Sequence, residues 1–414
     1  MAIGRNGVLV ALDVGTTKVS AFVARADESG LLRVVGIGHQ VSGGMRSGAV
    51  VDMDALERAI RATVDAAERM AGEIVSNVLV NLSAGRPSSQ TVGVDIAVAG
   101  REVGDDDVRR VLEQGRAQAE PGAREVLHAV PIGYSIDGAR GIRDPRGMFA
   151  TRLGVDIHVV TVGAAPARNL VACVERCHLN VTAMVASAYA AGLGVLVEDE
   201  KDLGVTLIDM GGGTTSMAIF YDGNLVFADA VPIGGAHVTN DVARGLSTPT
   251  EHAERMKTLY GSSLPSSADE REMIRVPLVG EAESEASAAV PRSALVRIIQ
   301  PRLEETFEFV RERLEASGMV KLAGRRVVLT GGACQLQGVR ELAARMLDKQ
   351  VRIGRPLRLR GLADSTAGPA FAACSGLLHY AASGAADTAT TKQWEEEAPP
   401  RRLTRMGEWL QSYL

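Results

Sequence analysis

Val205-Thr-Leu-Ile-Asp-Met-Gly-Gly-Gly-Thr-Thr-Ser216 is an apolar strand that ends in an acid and opens into a glycine turn. Glycines without Cβ let backbone N–H groups approach an anion closely, the threonines add hydroxyl donors, and Asp209 stands where a metal-bound water can be held. The same phrase occurs near the start of the chain, in Val8-Leu-Val-Ala-Leu-Asp13-Val-Gly15-Thr16-Thr17-Lys18, which adds a lysine. Either stretch alone is weak, because an acid and a glycine at a strand end are often only a turn. Two copies can grip one polyphosphate from opposite sides, and the third strand-to-glycine turn, Val327-Val-Leu-Thr-Gly331-Gly332, adds to the pair.

The totals narrow the setting. At 414 residues, two or more subdomains are expected. The chain is 46% hydrophobic but only 4% aromatic, which predicts a core of Val, Leu, Ile and Ala with glycine at close contacts. A formal net charge of −5 offers no global field for a nucleic-acid backbone, so no nucleic-acid partner is expected. Cys173, Cys177, Cys334 and Cys374 form no CxxC pair, which argues against a zinc site and a disulfide framework and for a reducing compartment. Cys173, Cys177 and the adjacent His178 resemble half a metal site, but without a second pair they read as packing. The apolar run after Arg5 ends at Asp13, and the weakly polar stretch 181–197 is too short and too weak to span a membrane, so the protein is expected inside the cell.

In chain order, residues 8–24 read as a strand hairpin and 31–38 as a third strand. Asp52 or Asp54 caps a helix with Leu56, Ile60, Val64 and Ala67 on one face. A separate unit begins after the strand at 78–83, with alternating residues 91–98, a helix from Asp105 to about Glu120, and strands at 125–131 and 156–162. Helices are expected at 166–179, 184–196, 236–260, 292–317, 336–348 and 367–383. From Gly384 the composition shifts to Ala, Thr, Glu and Pro and reads as a linker. The end differs again. Leu403, Met406, Trp409, Leu410, Tyr413 and Leu414 project onto one face of a helix, and Arg401, Arg402 and Arg405 are placed to meet anionic headgroups. Such a tail predicts weak binding by one copy and strong binding by many aligned copies.

The paired hairpins and the third glycine turn resemble the layout of the actin-like ATPase superfamily, whereas no Gly-x-x-x-x-Gly-Lys-Ser/Thr loop is present. In the middle of the chain, Glu125-Val-Leu-His-Ala-Val-Pro131, Tyr134-Ser-Ile-Asp137, Gly141-Ile-Arg-Asp-Pro145, Gly147-Met148 and Val174-Glu-Arg-Cys177 are similar to the bacterial cell-division family FtsA. Val328-Leu-Thr-Gly-Gly-Ala333 is similar too, the resemblance running from about residue 8 to 383. It implies an α/β fold of the actin-like, ribonuclease-H-like kind, with two lobes, an inserted small α/β subdomain and a C-terminal amphipathic helix. Residues 1–83 with 163–195 and 356–383 would form lobe I, 84–162 the insert, and 196–355 lobe II with 236–320 its outer part. Residues 384–400 would be linker and 401–414 the membrane-targeting helix.

By motif match, the resemblance implies that Gly15, Thr16, Thr17 and Lys18 touch the phosphates of ATP on one side and Gly211, Gly212, Gly213, Thr214 and Thr215 on the other. Asp13 and Asp209 would orient waters of Mg2+. Glu254 and Lys257 would lie beside the adenosine and Gly331 and Gly332 beside the base, with Gly234 and Gly235 at a further matching turn. Arg302, in Ile298-Ile-Gln-Pro-Arg302, falls where the family receives the C-terminal tail of FtsZ. Where relatives read Glu-Pro-x-Ala-Ser this chain has Ala183-Met-Val-Ala-Ser187, without the water-activating acid. A positioned base contributes about 10²–10⁴-fold, so ATP is expected to be bound and hydrolysed slowly if at all. The implied role is an ATP-binding filament on the cytoplasmic face of the membrane at the division septum, tethering FtsZ and meeting other division proteins. A small-molecule kinase of the same superfamily is one alternative and an actin-like pilus-assembly scaffold another.

Overall fold

The computed structural model describes residues 7–27, 31–118, 122–280 and 287–383; the linker and the amphipathic tail from 384 onward, with Arg401, Arg402, Leu403, Arg405, Met406, Trp409, Leu410, Tyr413 and Leu414, lie outside the described residues. The first phosphate-type hairpin is the centre of a five-stranded sheet. Val8–Val14 pairs antiparallel with Lys18–Ala26, which pairs with Leu32–Val41. On its other side Val8–Val14 runs parallel to Asn77–Leu82, and that strand parallel to Asn180–Ala186. Both faces are covered, and the strands therefore read as continuous apolar runs rather than alternating ones. Helix Met53–Ala71 starts at Asp52, whose carboxylate accepts from Asp54 N and Ala55 N, and it buries Leu56, Ile60, Val64 and Ala67.

One expected element divides in two. Residues 184–196 read as a single Ala/Gly helix, but Asn180–Ala186 is a strand and the helix is Ser187–Val195. A short run of Ala, Met and Val carries no period that separates a buried strand from a buried helix. Partnership decided it: Val181, Ala183 and Met184 pair with Val78, Leu79 and Val80 at the sheet edge.

The second hairpin organises a sheet of the same strand order. Val205–Met210 pairs antiparallel with Thr215–Tyr221, which pairs with Asn224–Val231. On the other side it runs parallel to Arg326–Thr330 and then Gln350–Ile353. Helices Gly235–Gly245, Thr250–Tyr260 and Arg292–Ala316 pack on this sheet, their Val238, Met256, Ile299 and Phe307 sharing one core with Ile208 and Met217 of the strands. The chain crosses between lobes at helix Ser187–Val195 and returns through helix Ala372–Ala382; the two helices pack together at Gly194 and Gly376.

The insert has its own four-stranded sheet, in the order Ser88–Glu102, Phe149–Gly163, Arg124–Ile136, Ala139–Ile142, with helix Asp105–Gln118 across it. Its core of Val94, Val111, Leu153, Ile157 and Val159 is separate from those of the lobes. It nevertheless touches lobe II: Ser89 Oγ donates to Ala228 O at 2.9 Å and accepts from Ala228 N at 2.7 Å. Cys173 and Cys177 face the carbonyls of Met53 and Glu57, packing one lobe I helix on another. Among the described residues no helix is long and apolar enough to cross a membrane.

Candidate functional site

The two hairpins close in the same way. Gly15 N donates to Lys18 O at 3.0 Å, and Gly211 N donates to Thr214 O at 2.9 Å. Asp13 pairs with Ser20 and Asp209 with Ser216, so each acid stands at the same register position at the end of its sheet. The turns meet across the cleft. A Cβ on Gly212 would lie 2.6 Å from Thr17 Oγ1, and one on Gly213 would overlap Thr16 Oγ1. Only backbone at these positions leaves the N–H groups free to converge on an anion between the lobes.

Two helices complete the rim. Gly235 N donates to Gly211 O at 2.9 Å and Ala236 N to Gly212 O at 2.7 Å, which anchors the N-terminus of helix Gly235–Gly245 on the second turn. On the next helix Lys257 Nζ donates to Glu254 Oε2 at 2.6 Å, to Thr239 Oγ1 at 2.8 Å and to Gly235 O at 3.2 Å. Gly331 and Gly332 close the far wall. Together these groups line one cleft of about 990 Å3, which contains Asp13, Gly15–Lys18, Asp209, Gly211–Thr214, Gly235, Glu254, Lys257, Gly331 and Gly332.

The electrostatics mark where positive charge is wanted. Burial raises the Asp13 carboxyl above its ordinary value against the pull of Lys18. Burial, reinforced by the charge of Asp13, pushes Asp209 up to about 7. Burial also lowers the Lys18 ammonium, which donates to Ala370 O at 2.5 Å and sits 3.5 Å from the centroid of the Phe371 ring. Two buried carboxyls at one cleft are therefore under-compensated by a single restrained amine. Among the described residues no group of three or more His, Cys, Asp and Glu side chains could enclose a metal. Two carboxylates beside a phosphate cradle instead suit a small divalent cation that keeps most of its water.

Two of the expected contacts fall elsewhere. Thr215 is fully buried in the sheet, where its hydroxyl donates to Ile233 O at 2.8 Å, so the hydroxyl facing the cleft on this turn is that of Thr214. Gly234 stands behind the lining, its N–H donating to His237 Nδ1 at 3.1 Å. Ala183 lies on the strand rather than a helix, is buried, and does not line the cleft. Arg302 is also outside it. Its Nε donates to Asp241 Oδ2 at 2.5 Å and its Nη2 to Asp241 Oδ1 at 3.1 Å, while Nη1 meets Glu305.

Sequence reasoning passed over Asn81 and Ser187. Asn81 is the penultimate residue of the strand parallel to Val8–Val14: its Oδ1 accepts from Val14 N at 2.8 Å, and its Nδ2 donates to Asp13 Oδ1 at 2.7 Å and to Ser187 Oγ at 3.1 Å. The available signal was an amide inside the apolar run Val78-Leu-Val-Asn-Leu82, where a buried polar group requires partners.

The family model described as "Cell division protein FtsA" matches residues 206–376, and that described as "SHS2 domain inserted in FTSA" matches residues 84–161. The chain is 46% identical over 418 residues to the cell division protein FtsA of Rhizobium meliloti (strain 1021), covering 98% of this chain and 95% of the relative. Among solved structures it is similar to the PilM-PilN type IV pilus biogenesis complex, with a TM-score of 0.62 at 15% identity over 90% of this chain and 98% of the other. It is also similar to MreB 5 of Spiroplasma citri bound to AMPPNP, with a TM-score of 0.55 at 15% identity over 91% and 96%. At these identities the structural likeness concerns the fold, which is actin-like with an insert.

Proposed function

The chain belongs to the FtsA family of cell-division proteins, and from that membership and the cleft we propose that it binds ATP with Mg2+ and polymerises on the cytoplasmic face of the membrane, tethering FtsZ filaments there at the septum. The observation that carries the nucleotide reading is the meeting of two equivalent turns across one cleft, Gly212 and Gly213 against Thr17 and Thr16. Gly15–Lys18 and Gly211–Thr214 would hold the phosphates. Asp13 and Asp209 would hold the waters of the cation, and Glu254, Lys257, Gly331 and Gly332 the nucleoside. A relative of the same fold, MreB 5, is bound to AMPPNP.

Bound nucleotide fixes the angle between the lobes, and that angle governs assembly. Slow hydrolysis is proposed from the sequence match alone, in which Ala183 replaces an acid of relatives; the buried Ala183 does not itself line the cleft. The amphipathic tail, with Trp409, Tyr413 and its leucines on one side and Arg401, Arg402 and Arg405 beside them, gives weak attachment per copy. Assembly aligns many tails and multiplies avidity without any new contact. Arg302 is the proposed landing point for the FtsZ tail, and other division proteins join the same filament.

Electron microscopy on anionic lipid monolayers, with and without ATP, tests this with the intact protein and one cut after Gly384. Filaments that require nucleotide, lipid and tail are the expected result. A lipid-indifferent monomer that phosphorylates a small molecule would overturn it in favour of the kinase alternative.

A further inference from the structure

The motif Leu127-His-Ala-Val-Pro131 lies in the insert, yet its histidine reaches Ala186, the residue before Ser187 of the cleft lining. His128 is fully buried and belongs to strand Arg124–Ile136, paired there with Val160. Its Nε2 accepts the backbone N–H of Ala186 at 2.9 Å. An imidazole that accepts at Nε2 carries its proton on Nδ1. The ring is held edge-on to Tyr189, with centroids 5.0 Å apart, and to Tyr380 at 6.1 Å, so aromatic neighbours on both interlobe helices fix its orientation.

Ala186 is the last residue of its strand and immediately precedes Ser187, the first residue of the interlobe helix. That helix has no side-chain cap, and the N–H of its N-cap residue Ala186 is met by a residue of the insert. Ser187 Oγ accepts from Asn81, and the same amide nitrogen donates to Asp13. His128, Ala186, Ser187, Asn81 and Asp13 thus form one buried chain from the insert to the acid at the phosphate turn. Asn81 cannot rotate to release Asp13 without also giving up Val14 N.

We propose that His128 is a positioning residue for the nucleotide cleft: through the Ala186 N–H it sets Ser187 and Asn81, and through them the Asp13 carboxylate that faces the cation of a bound metal–nucleotide. This rests on the nucleotide reading given above. The consequence is reciprocal, because a contact that favours one state of the cleft from the insert also favours one state of the insert from the cleft. The insert further touches lobe II, where Ser89 meets Ala228, so it bears on both lobes.

Three variants separate positioning from mere support. His128→Phe keeps a ring between Tyr189 and Tyr380 but removes the acceptor; His128→Asn is polar but too short to reach Ala186 N; His128→Gln restores an acceptor at the distance of Nε2. Fluorescent ATP would be titrated into full-length protein with Mg2+ and with EDTA, and exchange of the Ala186 amide followed in nucleotide-free protein. Phe and Asn are expected to speed Ala186 exchange and to weaken the Mg2+-dependent part of binding about tenfold, at the low end of the 10–100-fold typical of groups that orient a metal-facing carboxylate. Metal-free binding should stay unchanged, and Gln should recover most of the loss. Equal binding by the unmodified protein and folded His128→Phe or His128→Asn would overturn the proposal, as would an equal loss with and without Mg2+. Failure of the unmodified protein to bind ATP at all would instead overturn the nucleotide reading beneath it.

Discussion

Gly331 stands against the carboxylate of Asp209, so close that a Cβ on the glycine would overlap Asp209 Oδ1 and lie 2.5 Å from Met210 O. Its φ of 84° is also one that a residue with a side chain adopts only at a cost. The third glycine turn therefore leaves room for the acid of the second hairpin. With ψ at 166° the Gly331 backbone takes an extended positive-φ conformation almost confined to glycine, so Gly331→Ala is expected to lose about 1–3 kcal/mol from backbone strain alone and to push Asp209 out of place. Nucleotide titration should show a loss of tenfold or more beside a modest fall in thermal midpoint. Wild-type affinity in a folded Gly331→Ala protein would show that the close approach has no bearing on the cleft.

Asp209 also predicts a pH dependence. Its carboxyl is pushed up to about 7 by burial and by Asp13, against an ordinary value of 3.8. Between those two values the folded, nucleotide-free protein holds a proton that the unfolded chain has released. Stability then falls as pH rises, because the folded state binds more protons than the unfolded one. Nucleotide-free protein should thus lose stability from about pH 4 to about pH 7 on account of this group, a trend that a bound divalent cation should cancel by accepting the carboxylate's charge. Chemical denaturation across that range, with and without Mg2+ and nucleotide, measures it. Asp209→Asn should remove this contribution, and an unchanged slope in that variant would sink the assignment.

The duplicated hairpins were legible because the constraint there is local: an acid at a strand end, glycines where another loop comes within van der Waals distance, and hydroxyls beside them. Sequence alone could not say that Gly212 and Gly213 are small because Thr17 and Thr16 face them across the cleft. The single helix read over 184–196 failed for the opposite reason, since the fate of Asn180–Ala186 depends on Asn77–Leu82, about a hundred residues away, offering it a parallel edge. Asn81 was missed as an isolated amide whose three partners come from two distant segments, Asp13 and Val14 on one strand and Ser187 on the interlobe helix. Thr215 looked like a second phosphate hydroxyl by adjacency, but strand alternation turns neighbouring side chains to opposite faces, and its hydroxyl points to Ile233.

The crossover between the lobes carries a separate prediction. Arg352 Nε donates to Glu200 Oε1 at 2.7 Å while Nη2 closes on Oε2 and reaches Val195 O at 3.1 Å. The bidentate pair pins the short helix Glu198–Leu203 to the edge strand of lobe II. Glu200 is 7% exposed, and Arg326, 3.5 Å away and itself 54% exposed, compensates it poorly. Arg352→Met should therefore cost about 2–4 kcal/mol, less than the ~3–5 of a wholly buried pair because the arginine is 36% exposed. Adding Glu200→Gln should recover part of the loss by removing the stranded charge. A double variant as unstable in urea as Arg352→Met alone would show that packing of the arginine stem, not the charge pair, is what matters.

Arg302 is the residue whose two possible jobs make opposite predictions. Its guanidinium already grips Asp241 with Nε and Nη2, tying helix Arg292–Ala316 to helix Gly235–Gly245. If the partner tail docks there through a carboxylate, it competes with Asp241 for the same donors. Arg302→Ala should then abolish binding of the FtsZ tail peptide, whereas Asp241→Asn should tighten it by releasing the fork. Both changes break the partly exposed Arg302–Asp241 pair, and Arg302→Ala also the exposed contact with Glu305, so each should lower stability by about 1 kcal/mol. A purely structural Arg302 predicts instead that peptide binding falls together in the two variants, in step with their loss of stability. Peptide titration and urea unfolding of the same two proteins distinguish these outcomes, because only direct recognition by the guanidinium moves affinity in opposite directions while stability moves in one.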